Sequence, residues 1–111
     1  MDNRLFEFTM RVLRTEGSDL PAGASAAYVT CYAAATDPRM AMKKGVAAVA
    51  ETGWRFDDSD GAVREIPADQ WREYVRKVWP DHAAGLPSPA ELPAKIAAGA
   101  VFFGPFSVFG T

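Results

Sequence analysis

AAYVTCYAAATDPRMAMKKGVAAVAETGWRFDDSDGAVREI, residues 26–66, reads as a strand, a helix and a hairpin in succession. Ala26 to Ala35 alternates, with Val29, Cys31 and Ala33 on one side and Tyr28, Thr30 and Tyr32 on the other. That is the period of two a strand requires. Asp37-Pro38 then opens a helix. The carboxylate can accept from free N–H groups of the first turn, and proline suits the first helical position because its missing N–H costs nothing there. Met42, Val46 and Val49 recur at helical spacing, with Ala41, Ala48 and Ala50 small enough for close approach to a sheet. Gly53 suits the left-handed residue just past the end. Trp54 to Ile66 is expected to fold as a hairpin, with a three-residue loop of Ser59, Asp60 and Gly61 that puts glycine where positive φ is needed. That register sets Trp54 opposite Ile66 and Phe56 opposite Arg64.

Outward from this stretch the patterns stay short. Leu5 to Leu13 alternates as a half-buried strand, with Phe6, Phe8, Met10 and Val12 on one face and Glu7, Thr9 and Arg11 on the other. Thr15 to Ser25 is rich in Gly, Ser, Asp and Pro and reads as a connection. After Pro67, Trp71, Tyr74, Val75, Val78 and Trp79 form one apolar stripe at helical spacing, and Pro80 ends it. Glu73 precedes Lys77 by four residues, the favourable order for a surface pair. Ser88 and Glu91 match a capping box. Pro93 leaves two outcomes there: one turn ending near Leu92, or a short helix from Pro93 to Ala98 closed by Gly99. Ala100 to Phe103 reads as the last strand, with Gly104-Pro105 breaking it before Phe106 and Phe109.

The expectation is one α+β domain over residues 1–111. From the second strand onward its order resembles the βαββαβ pattern of ferredoxin-like folds. The resemblance implies a two-layer sandwich, here with an extra N-terminal strand and a short Pro-rich helical segment before the last strand. Such an architecture hosts many unrelated functions, so it assigns none.

Composition excludes more than it assigns. The 12 basic and 14 acidic residues of the 111 leave a net charge of −2 with the signs mixed along the chain, so no basic stripe is offered to a nucleic acid. Met1 to Arg14 has acidic residues and no long apolar run, so no secretory signal is expected. Ile96 to Thr111 carries no charge, but it is too short to span a bilayer and is broken by Gly99, Gly104, Pro105 and Gly110, so a buried strand is expected and no membrane partner. A lone Cys31 suits a reducing, cytoplasmic setting. With one Cys and one His, no metal site or cofactor is expected.

No catalytic motif emerges. Cys31 and His82 are the sole thiol–imidazole combination, and Cys31 lies on the face expected to be buried. The acidic run at Asp57, Asp58 and Asp60 fails as a calcium loop, because Phe56 would be the first ligand and Pro67 the twelfth. The reading that remains is a small non-enzymatic binding or interaction domain, with self-association as a homodimer one form of it. Its surface would be an open sheet face at Tyr28, Thr30 and Tyr32, with Arg64, His82 and the Phe-rich tail at Phe106 beside it. Two alternatives stand: a small-molecule sensor or enzyme with a pocket between sheet and tail, using Tyr32, Arg64 and His82; or an inhibitor or immunity-like protein that binds a partner through an acidic hairpin at Asp57, Asp58 and Asp60.

Overall fold

The first strand, β1 (Arg4–Arg14), is the centre of the sheet in this computed structural model, which describes residues 3–14, 25–59 and 62–109. The domain is mixed α+β, with five antiparallel strands and three helices. β2 (Ala26–Ala35) pairs along one edge of β1, from Arg4 opposite Ala35 to Leu13 opposite Ala26. β5 (Val101–Phe109) follows on the outer side of β2. β3 (Trp54–Ser59) and β4 (Arg64–Ile66) both pair with the other edge of β1. The expected connection over Thr15 to Ser25 lies almost wholly outside the described residues.

The hairpin expected between Trp54 and Ile66 does not form. β3 and β4 run the same way and lie end to end along β1, with Trp54 opposite Arg14, Phe56 opposite Val12, Arg64 opposite Glu7 and Ile66 opposite Leu5. The register explains the preference. Glu7 meets Arg64, and an extra residue in β3 brings Asp57 within 2.8 Å of Arg11. Opposite charges that face one another across strands stabilise the pairing, whereas the hairpin would have set Phe56 against Arg64. Asp60 and Gly61, the expected turn, lie outside the described residues.

α1 (Pro38–Val49) forms as its sequence requires. Asp37 Oδ1 accepts from the Met40 N–H at 2.8 Å, Pro38 takes the first turn, and Gly53 beyond the end has φ 88°. Its inner line is Ala41, Gly45 and Val49. They pack over Phe6, Phe8, Met10, Val12, Val29 and Cys31, the apolar face of β1 and β2. Gly45 is the point of closest approach: a Cβ there would sit 2.5 Å from Phe8 Cζ and 2.7 Å from Cys31 Sγ. Lys44 anchors the same helix by donating to the carbonyls of Ala34 and Gly99, both at 2.5 Å.

α2 (Trp71–Val78) carries the expected stripe but lies on the opposite face. Trp71 and Val75 bury against Leu5, Tyr32 and Ile66, together with Leu86 and Leu92. The sheet therefore has helices on both faces, not on one as the two-layer reading held. An apolar stripe this large needs its own sheet surface, and α1 already fills the first. Glu73 pairs with Arg76 at 3.6 Å, not with Lys77. α3 (Leu92–Ala97) starts beside the Ser88–Glu91 box, whose two reciprocal bonds form at 3.0 and 3.2 Å, and Pro93 falls in its first turn. Of the two outcomes left open there, the short helix closed by Gly99 is the one observed.

Gly104-Pro105 does not break the last strand. The β2–β5 register shifts between Val29 and Cys31, which places an extra β5 residue at this dipeptide. A bulge on an edge strand is where proline is tolerated. It also puts Phe103 and Phe106, three positions apart, on one face, with ring centroids 5.9 Å apart. Among the described residues no helix is long and apolar enough to cross a membrane.

Alanine at Gly45 should improve helix propensity by about 1 kcal/mol yet overpack the α1–sheet contact by about 1–3 kcal/mol. Urea unfolding of Gly45→Ala is expected to show a net loss of stability. A gain would mean that α1 and β1 do not meet at this distance.

Candidate functional site

Where α2 stops covering the second face, five side chains from four elements meet. Glu7 comes from β1, Tyr32 from β2, Arg64 from β4, and Tyr74 and Trp79 from α2 and the residue after it. Glu7 is 6% exposed, the one charged residue buried among those described. Desolvating a carboxylate costs several kcal/mol unless its lone pairs are matched. Here Arg64 donates through Nε at 2.8 Å and through Nη2 to Oε1, and the Tyr74 hydroxyl donates to Oε2.

The hydrogens of this chain have one consistent direction. The Tyr74 proton goes to Glu7, so Tyr74 Oη must accept from Tyr32 Oη, 2.7 Å away. Tyr32 in turn accepts from Trp79 Nε1 at 2.6 Å. Every donor points toward the carboxylate. Burial, and then the bond to Glu7, hold the Tyr74 phenol above its ordinary value, and burial raises Tyr32 as well. Both are neutral donors at any pH near neutrality.

Aromatic packing fixes the network from behind. Tyr32 stacks on Phe102 at 5.2 Å and meets the edge of Trp71 at 5.5 Å. Trp71 is held by its own Nε1, which donates to the Pro87 carbonyl at 2.7 Å. Trp79 reaches Tyr32 across Gly104, where a Cβ would lie 3.3 Å from the indole. Two clefts open around the Glu7–Arg64 pair. One, of about 520 Å³, lies toward α2 and includes Ile66, Gln70, Tyr74 and Lys77. The other, of about 410 Å³, lies over Thr9, Thr30 and Val78.

The expected surface residues divide. Tyr28 is 48% exposed, and Thr30 is half-buried at the lip of the second cleft. Arg64 sits between the clefts with its side chain 72% exposed. Tyr32 is fully buried, because the α2 stripe covers it, and it supports the site without reaching its surface. Phe106 belongs to the core on the opposite face, where it stacks on Trp54 at 6.1 Å. His82 is exposed beyond α2, edge-on to Trp79 at 6.1 Å.

Cys31 packs under α1 on the other side of the sheet from His82's neighbour Trp79, so that pair is not assembled. Burial pushes the thiol up to about 12, which keeps it protonated and unreactive. Asp57 is engaged by Arg11, and Asp58 accepts from the Ser59 N–H at 2.8 Å. Asp60 lies outside the described residues. Among the described residues no three His, Cys, Asp or Glu side chains are grouped to hold a metal ion. Glu7 and Tyr74 were not singled out by the sequence as a pair. The available signal was an acidic residue set between Phe6 and Phe8, but its partners are 57 and 67 positions away. No protein-family model, curated protein or solved structure matches the chain, so the reading of the site rests on its own geometry.

Tyr74→Phe would leave Tyr32 without its acceptor and Glu7 Oε2 without the tyrosine donor, while Arg64 still serves Oε1. Chemical denaturation is expected to show a loss of about 1–3 kcal/mol. The pH dependence has a definite sign. Tyr74 holds its proton more tightly folded than unfolded, so its stabilisation is complete below the ordinary phenol value of 10.0 and declines as pH rises beyond it. Thermal melts from pH 8 upward should therefore fall less steeply for Tyr74→Phe than for the parent, and parallel slopes would contradict the network.

Proposed function

We propose that the chain is a small binding or interaction domain that works through the end of the second sheet face that α2 leaves uncovered. The observation that carries this reading is the asymmetry of cover. α2 seals the Leu5–Tyr32–Ile66 end, while Thr9, Tyr28 and Thr30 lie beyond it, next to the buried Glu7 and its exposed arginine. Tyrosine and threonine there offer a flat, hydroxyl-bearing contact surface with little side-chain entropy to lose, a composition suited to protein contacts. Mixed charge with a net of −2 favours a protein or small-molecule partner over a nucleic acid, and the buried, protonated Cys31 suits a reducing cytoplasmic setting.

The partner this surface fits first is a second copy of the chain. Thr9 pairs with Thr30 and Arg11 with Tyr28 in the sheet, so the patch presents hydroxyl and aromatic groups that a copy of itself can match. A small-ligand reading has its own support in the two clefts that flank Arg64. The acidic-hairpin reading has less behind it, since Asp57 and Asp58 are engaged within the chain.

Light scattering on a size-exclusion column at two concentrations tests the leading form. The parent is expected to exceed its monomer mass of 12.0 kDa, and Tyr28→Ala combined with Thr30→Arg to remain at it with an unchanged circular dichroism spectrum. A parent that stays monomeric rejects self-association. A double variant that associates as the parent does rejects the patch.

A further inference from the structure

A third cleft, of about 420 Å³, lies on the other flank of α2 and shares no lining residue with the two beside Arg64. α2 supplies Trp71, Arg72, Val75 and Arg76 to one side of it. The chain that returns after the helix supplies Pro80, Ala83, Pro87 and Pro89 to the other. That second wall is built before any ligand arrives. Trp71 Nε1 ties the Pro87 carbonyl to the helix at 2.7 Å. The Gly85 and Leu86 N–H groups close a turn on the carbonyls of His82 and Ala83, and Glu91 and Leu92 both donate to the Ser88 carbonyl at 3.0 Å. Three prolines fix φ along the same wall. A wall already ordered loses little entropy when something binds to it.

The charge on the lining has one sign. Arg72 and Arg76 stand one helical turn apart, and no carboxylate lines the cleft. The acidic residues between positions 67 and 92 are Asp69, Glu73, Asp81 and Glu91, all exposed to water. Glu73 answers Arg76 at 3.6 Å, and Glu91 is turned to the Ser88 N–H at 3.0 Å. With Arg76 counted as neutralised, Arg72 is left over, and it makes no ion pair or hydrogen bond with a described residue.

We propose that this cleft binds a small apolar carboxylic acid as its monoanion, the carboxylate on Arg72 and the apolar body between Val75 and the proline wall. The volume lies in the range of small-molecule sites. One free cation matches one negative charge, and the planar fork of a guanidinium matches the two oxygens of a carboxylate. Apolar walls on both sides reward a ligand with a body to bury, which inorganic phosphate lacks. The site is separate from the association surface proposed above, since Thr9, Tyr28 and Thr30 line no part of it.

The test is a titration of the 15N-labelled chain with 3-phenylpropionate, its neutral amide, and inorganic phosphate, followed by N–H shifts. The acid is expected to move the Ala83 and Ser88 amides and the Trp71 indole N–H saturably, and to leave Thr9 and Arg64 still. Its affinity should fall about tenfold in Arg72→Gln, an exposed position where glutamine keeps helix propensity. Part of the loss should return in Arg72→Lys, which keeps the charge without the fork. Equal binding of acid and amide, or unchanged affinity in Arg72→Gln, would overturn the acid assignment. Phosphate binding tighter than the acid would overturn the carboxylate class. No saturable shift at Trp71, Ala83 and Ser88 would remove the site, while the mass in solution would still decide the association reading by itself.

Discussion

A carboxylate placed on the central strand, under a helix, is costly unless cations and hydroxyls reach it there. Glu7 is in that position, and meeting its demand organises the structure around it. Arg64 can reach it only if β4 lies on the free edge of β1, and Tyr74 only if α2 crosses the second face. Tyr32 and Trp79 then follow, because the Tyr74 hydroxyl directs its hydrogen at Glu7 and its oxygen is left to accept a hydrogen bond. One buried negative charge thus ties together β1, β2, β4 and α2, which are otherwise held by non-directional packing.

The two faces of the sheet solve different packing problems. Under α1 the sheet presents Phe8, Cys31 and a line of small residues, and the helix answers with Ala41 and Gly45, so the layers approach closely. Under α2 the contact is made by rings with polar tips: Trp71, Tyr74, Trp79 and Tyr32. Large amphipathic rings bury area while carrying donors into the interior. A polar network can therefore sit on that face, whereas α1 leaves no room for one on its own side.

What the sequence made legible was local. Asp37-Pro38 and Gly53 mark the ends of α1, and the stripe from Trp71 to Trp79 marks α2, because caps and periodicity act over a few residues. Alternation in Leu5 to Leu13 and Ala26 to Ala35 sorted the side chains of β1 and β2 into two faces correctly. Apart from the last strand, which runs on through Gly104-Pro105, the errors were choices of partner. Gly61 and the acidic residues before it permit a hairpin by local rules, and only Glu7 and Arg11 on a distant strand decide for pairing with β1. Tyr32 was read as surface because a tyrosine on an alternating strand looks the same whether or not a helix covers it. Of the candidate site, Arg64, Tyr28 and Thr30 were visible; Glu7 and Tyr74 became a pair only once the sheet order was known.

The bulge at Gly104-Pro105 bears on how this domain keeps company. β5 is an edge strand, and an intact edge offers a row of N–H and C=O groups on which another chain can add a strand. Pro105 removes one donor from that row, and the shift in register puts the remaining groups out of step. On the far side the edge is divided between β3 and β4. Neither margin of the sheet is a good template for continuation into a fibre or a shared intermolecular sheet. Contacts between copies of this domain are thereby steered toward side chains on its faces, where shape and charge discriminate among partners and backbone groups do not.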